Sequence, residues 1–225
     1  TETVELNQKQ VEWLCNRKIG IGADGLILLE NVDGYDFKMV YYNSDGRISS
    51  MCGNGGRCIS HFAGFLNLVL THGNFIAIDG EHKFELLGND LVKIKMNDVE
   101  AINNDGAALV MDTGSPHFVA FNDDLSELNI VDEARRIRYN EKYKAEGINV
   151  NFVQVKNNAF FMRTYERGVE DETLSCGTGT VATALTLVKK GFTAASPVEL
   201  NTYGGQLKVH FLSLIHISEP TRRHL

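Results

Sequence analysis

The chain has 225 residues, 43% of them hydrophobic and 23% charged; it can bury a sizeable core and is too apolar for a disordered polymer. Its 22 basic and 29 acidic residues give a formal net charge of −7, which favours neither nucleic acid nor an anionic membrane as a partner. No apolar run reaches the roughly 18–20 residues of a membrane span, and the polar, acidic stretch Thr1–Gln10 is no signal peptide. The four cysteines lack CxxC spacing, so they read as reduced thiols in a cytoplasmic setting, not as a zinc site or a disulfide frame.

In chain order, Asn7 and Gln10 form a capping box, with Leu6 and Val11 placed as a hydrophobic staple. A helix is expected from Gln8 to Arg17, stopping before Gly20. Leu26–Glu30 and Asp36–Tyr42 read as strands, followed by the turn Asn43–Gly46. Arg57–Leu70 has the one-sided apolar pattern of a buried helix. Three short strands follow at hairpin spacing: Phe75–Asp79, Lys83–Leu87 and Leu91–Met96. The second half repeats the style, with strands near 109–112, 117–121, 149–155 and 160–165, and a mixed-charge helical stretch at Asp132–Arg138. An apolar helix over Thr178–Lys189 and strands near 198–200 and 206–211 complete it. One buried helix per half among antiparallel strands predicts an α+β architecture.

An internal repeat carries the chemistry. Phe37–Gly55 aligns on Phe161–Gly179, an offset of 124 residues, so that Cys52-Gly53-Asn54-Gly55 falls on Cys176-Gly177-Thr178-Gly179. Each half then reads strand, turn, Cys-Gly-x-Gly, helix, and a pseudo-twofold arrangement would set the two cysteines across one cleft. A cysteine at a helix mouth meets amide N–H groups without intrahelical partners, which favour the thiolate. Two adjacent thiolates repel, so such a pair shares a proton: one sulfur abstracts and the other donates from the opposite face. The helix N–H groups can hold a small carboxylate and the charge it gains as the proton leaves. Inversion at an acidic carbon without a cofactor is the chemistry these residues suggest.

The segments YYNSDGRISSMCGNGGRC (41–58), GINVNFV (147–153) and YERGVEDETLSCGTGT (165–180) resemble the diaminopimelate epimerase family, with GIGADGLILLE (20–30) and DTGSPHFV (112–119) in support. The resemblance implies conversion of LL-2,6-diaminopimelate to the meso form in lysine and peptidoglycan precursor synthesis. It implies neither pyridoxal phosphate nor metal. It also implies two pseudo-symmetric domains, each a mostly antiparallel sheet wrapped around a central helix. The acid/base pair then lands on Cys52 and Cys176, with Gly53, Asn54, Gly177 and Thr178 at the reacting carboxylate. Asn43, Asn149, Glu166 and Arg167 fit the positions that grip the distal amino-acid centre, and His117 and Glu166 those that tune the cysteines. The expected partner is the small-molecule substrate, with a homodimer left open. The halves are placed at 1–104 and 105–211, and 212–225, which begins LSLIHISEPTR, reads as an adapter-derived tail on an internal fragment.

Three departures stand out. The family's N-terminal substrate-binding Asn has no counterpart, Gly25 stands where some members carry Gln, and Ser115 where others carry Asn. The Gly20–Gly25 GxGxxG string follows a helix and enters a strand, the reverse of the dinucleotide-binding context. Cys15 and Cys58 read as small core residues, and His61 and His72 as solvent or packing residues. A proline racemase or hydroxyproline epimerase is the rival reading. It usually carries His after the first Cys-Gly, where Asn54 stands, and has no use for Asn149, Glu166 and Arg167.

Overall fold

Asn7 starts the first helix, α1 (Gln8–Cys15), through the expected capping box: its side chain accepts the Gln10 amide, and the Gln10 side chain accepts the Asn7 amide. The structure, a computed structural model, describes residues 5–49 and 51–211. The tail assigned to 212–225 lies outside the described residues. Within them the chain divides into an N-terminal unit ending at Asn97 and a C-terminal unit beginning at Asp98. No helix among the described residues is long and apolar enough to cross a membrane.

In the N-terminal unit, β1 (Gly25–Glu30), β2 (Phe37–Asn43), β3 (His72–Ala77), β4 (Gly80–Gly88) and β5 (Leu91–Ile94) form a sheet in that order. All neighbours are antiparallel except β2 and β3. The parallel pair is joined by α2 (Gly53–Phe65), a crossover that a two-residue turn could not make. The helix packs Ile59 and Ala63 into a core with Phe37, Met39, Phe75 and Phe84, where the Phe37 and Phe75 rings stack at 5.1 Å. The sequence places this helix at 57–70; it begins four residues earlier because the Cys52 side chain caps it, and it stops at Phe65. Beyond that point Leu66, Leu68 and Leu70 are exposed.

The C-terminal unit has a larger sheet. β6 (Ile102–Asp105), β7 (Ala108–Asp112), β8 (Pro116–Phe121), β9 (Asn149–Lys156), β10 (Ala159–Glu166), β12 (Val198–Thr202) and β13 (Gly205–Val209) lie side by side, and β11 (Asp171–Thr173) pairs with β10. The β8–β9 and β10–β12 pairs are parallel. The first is bridged by α3 (Ile130–Arg138), the second by α4 (Gly177–Lys189). α4 touches β7, β8, β9, β10, β12 and β13 and buries nine of its residues, as an apolar central helix should. α3 covers the other core, with Ile130 and Ala134 inward and its charges solvated.

The repeat extends beyond the aligned segment. α2 and α4 are each thirteen residues long, displaced by the same 124 positions as their caps. The hairpins that follow match too: Ala77 pairs with Gly80 and Thr202 with Gly205 across two-residue turns, and both glycines have φ of 121°. The α+β architecture and mostly antiparallel sheets therefore stand. The short β6 and β11 were not foreseen, since Asn and Asp dominate the first and only three residues pair in the second.

Candidate active site

The two cysteine turns are built alike. Cys52 is the N-cap of α2 at φ −108°, ψ 108°, and its Sγ accepts the Gly55 amide at 3.2 Å. Cys176 is the N-cap of α4 at φ −123°, ψ 116°, and its Sγ accepts the Gly179 amide at 3.4 Å. Sulfur thus takes the place of the usual Ser or Asp oxygen, satisfying one amide of the first turn. The second glycine of each motif is a packing requirement. A Cβ at Gly55 would lie 2.6 Å from Ile27 Cδ1, and one at Gly179 would lie 2.4 Å from Asn151 Oδ1.

Around Cys52, Gly53 is buried and Asn54 half-buried, with the Asn54 side chain accepting from Arg57. Asn43 ends β2 and anchors its turn: its amide donates to the Arg47 carbonyl at 2.9 Å, and its carbonyl accepts the Gly46 amide at 2.9 Å. Gly25, on the strand beside it, is closely packed, because a Cβ there would meet the Tyr41 ring and the Tyr42 carbonyl oxygen at 2.5 Å. Cys15 is buried as expected. Cys58 is exposed, contrary to its reading as a core residue, since the helix turns that position outward. His61 and His72 are exposed and face Asp90 and Glu85.

Around Cys176 the network is denser. Thr178 Oγ1 lies 3.5 Å from Cys176 Sγ and 2.9 Å from His117 Nε2, and the Thr178 carbonyl accepts from the Thr113 hydroxyl at 2.9 Å. His117 is fully buried; burial first, and then the Arg167 charge, push its pKa down to about 3, so the imidazole is neutral. Asn149, Ser115 and Arg167 form one cluster. Asn149 Nδ2 donates to Ser115 Oγ at 2.9 Å, Asn149 Oδ1 accepts the Arg167 amide at 2.9 Å, and Arg167 Nη2 reaches Ser115 Oγ at 3.4 Å. Ser115 therefore belongs with the candidate residues, although its sequence context left it outside the set.

Glu166 and Arg167 sit at the end of β10. The Glu166 carboxylate accepts from the Thr173 hydroxyl, and Arg167 Nη1 donates to the Glu146 carbonyl at 3.0 Å. The turn that follows is tied back by Glu170, whose carboxylate accepts from Tyr139 at 2.8 Å, Tyr165 at 3.0 Å, Arg138 at 3.0 Å and the Gly168 amide at 3.2 Å. Burial opposes its charge, but the Tyr139 and Gly168 hydrogen bonds and the Arg138 charge hold its carboxyl below the usual range. Burial and the nearby Arg138 also lower Arg167, whose guanidinium keeps its charge at neutral pH. Sequence reasoning missed Glu170 and Asn151. The only hint of the second was its place two residues after Asn149 on one strand, hence on the same face.

Comparison with known proteins places these features. The fold is shared with racemase-like and phenazine-biosynthesis proteins. A probable proline racemase from Agrobacterium radiobacter K84 aligns with a TM-score of 0.66 at 14% identity, covering 89% of this chain and 72% of the other. A PhzF-family protein from Bacillus anthracis aligns at 0.66 and 12%, covering 90% and 80%. Sequence is more specific. The family described as diaminopimelate epimerase matches residues 1–108 and 109–213. The diaminopimelate epimerase of Flavobacterium psychrophilum is 50% identical over 206 residues, covering 91% of this chain and 80% of the relative. That of Chlorobaculum tepidum is 41% identical over 229 residues, covering 96% and 89%. The chain belongs to the diaminopimelate epimerase family, whose members are isomerases acting on an amino acid.

Proposed function

We propose that this protein epimerises LL-2,6-diaminopimelate to the meso form, on the route to lysine and peptidoglycan precursors, with Cys52 and Cys176 as its acid/base pair and no cofactor. The observation that carries the reading is the repeated cysteine cap, in which each sulfur accepts an amide N–H at the mouth of a helix. One sulfur, as thiolate, takes the α-proton, and the electron pair it leaves is delocalised onto the adjoining carboxylate. The other sulfur, as thiol, returns a proton to the opposite face. Atoms and charge balance, and only configuration changes.

The amides that open α2 and α4, at Gly53-Asn54 and Gly177-Thr178, suit the reacting carboxylate, and their dipoles favour the charge it gains. Arg167, Glu166, Asn149 and Asn43 suit the distal centre: guanidinium for carboxylate, carboxylate for ammonium, amides for direction. Reduced thiols are needed throughout, which accords with a cytoplasmic setting.

The test is incubation with LL-diaminopimelate in deuterated water, with L-proline in parallel. The expected result is meso product carrying deuterium at the inverted carbon and no exchange into proline. Exchange into proline alone, or none into either, overturns the reading.

A further inference from the structure

We infer that Asn151 is a positioning residue: it locks His117 in a single tautomer and thereby commits the hydroxyl proton of Thr178 to the sulfur of Cys176. Its catalytic meaning rests on the two-cysteine reading above, whereas its geometry lies wholly within the C-terminal unit.

Asn151 is fully buried on β9. Its Nδ2 lies 3.0 Å from the Phe118 carbonyl and 3.1 Å from His117 Nδ1, and its Oδ1 accepts the Thr164 hydroxyl at 2.9 Å. A backbone carbonyl only accepts, so the amide must turn its NH2 toward Phe118; the flipped amide would oppose two oxygens. The second N–H of that group then faces His117 Nδ1, which must offer a lone pair. The imidazole, kept neutral by burial and by Arg167, therefore carries its proton on Nε2. That proton is donated to Thr178 Oγ1 at 2.9 Å. With its oxygen engaged as acceptor, Thr178 directs its one hydrogen to Cys176 Sγ, 3.5 Å away.

Every donor in the series thus points toward the sulfur, from Thr164 through Asn151, His117 and Thr178 to Cys176, and such aligned bonds polarise one another. Sγ receives this O–H as well as the Gly179 N–H, and both favour the thiolate. Arg167 is the charged side chain acting on His117, while Asn151, Thr178 and the Phe118 carbonyl, which face its pocket, do not titrate. His117 on this account carries no proton to substrate; it transmits an orientation. The repeat supports a purpose for the arrangement. At the offset of 124 the place of Asn151 is held by Ile27, and each contacts the second glycine of its motif.

The decisive measurement needs no variant of the chain except for assignment. Nitrogen-15 NMR of histidine-labelled protein, with the His117 signals identified by their loss in His117→Gln, should show a protonated Nε2 and an unprotonated Nδ1. These should stay unchanged from about pH 5 to pH 9, around the ordinary histidine value. The opposite tautomer, or titration in that range, overturns the inference. As a second reading, the thiolate absorbance belonging to Cys176, taken as a difference against Cys176→Ser, should shift upward in pH by about one unit in Thr178→Val. Asn151→Ala should shift it the same way, and Thr178→Ser should restore it. An unchanged curve in folded Asn151→Ala and Thr178→Val would reduce Asn151 to a packing role. If the tautomer is as stated but diaminopimelate is not epimerised, the proposed function fails and this inference stands; the reverse outcome sinks this inference alone.

Discussion

In the N-terminal unit, Cys52 caps a thirteen-residue helix whose second glycine packs against Ile27 and Met39. In the C-terminal unit, Cys176 caps a helix of the same length whose second glycine packs against Asn151, with Thr178 and His117 behind it. The surroundings differ as much as the neighbours. α4 buries nine residues inside a sheet that continues past β9 through β8, β7 and β6. α2 buries six, leaves Phe65 76% exposed, and lies against a sheet that ends at β1 among the described residues. The strand that supplies His117 is β8, one of those with no counterpart among the described residues of the N-terminal unit. A helix-capping thiol needs only its own Cys-Gly-x-Gly turn, whereas its polar support depends on which strands stand alongside.

If both caps serve one reaction, breaking either should be equally severe. Cys52→Ala and Cys176→Ala are each expected to lose the roughly 10²–10⁴-fold that a positioned acid or base contributes, or more, in an epimerisation assay. Cys58→Ser, at an exposed position, should keep full turnover. Comparable activity in Cys52→Ala and wild type would break the symmetry of the pair.

The contrast in burial predicts unequal stability losses. Leu187→Ala empties a site of zero exposure in the C-terminal core and should cost about 2–5 kcal/mol in urea unfolding. Phe65→Ala, on the exposed flank of α2, should stay within about 0.5 kcal/mol. Similar costs for the two would mean that the face of α2 is covered in solution.

The glycines sharpen the comparison further. At Gly55 the obstructing atom is the flexible end of Ile27, which can rotate away, but at Gly179 it is an amide oxygen held by the Thr164 hydroxyl. Gly179→Ala should therefore reduce kcat more than Gly55→Ala in the same assay. The opposite order would show that Asn151 is free to move.

Finally, the buried histidines of the two units should act on stability in opposite pH windows. His117 is held at about 3, below its ordinary 6.5, so the unfolded chain binds the proton between those values. Its contribution is complete above 6.5 and is lost as pH falls toward 3. His82 also sits in a dry site that opposes its charge, but the Asp79 carboxylate at 2.9 Å and the Lys95 carbonyl at 3.0 Å raise its pKa above 6.5. Its contribution is complete below 6.5 and is lost as pH rises through the raised value. Urea midpoints measured against pH should lose their acid slope in His117→Gln and their alkaline slope in His82→Gln. Slopes that do not respond to these substitutions would show that other groups govern the pH dependence.

Local chemistry along the chain was enough to determine much of this protein. The Asn7–Gln10 box, the alternating strands and the two Cys-Gly-x-Gly turns are written in residues a few positions apart, and the 124-residue offset between the halves needs no coordinates. The start of α2 was less legible, because glycines weaken a helix signal and a cysteine is not an expected cap. Only the tertiary structure brought Ser115 to Asn149 and Arg167, or lined up Asn151, His117 and Thr178 behind Cys176. Those residues lie on or beside β8, β9, β10 and the start of α4, groups separated by tens of positions, and the parallel pairing of β8 with β9 sets His117 beside Asn149. A hydrogen bond requires a distance and a direction at once, and neither is encoded in the identity of residues that meet only when a sheet closes around a helix.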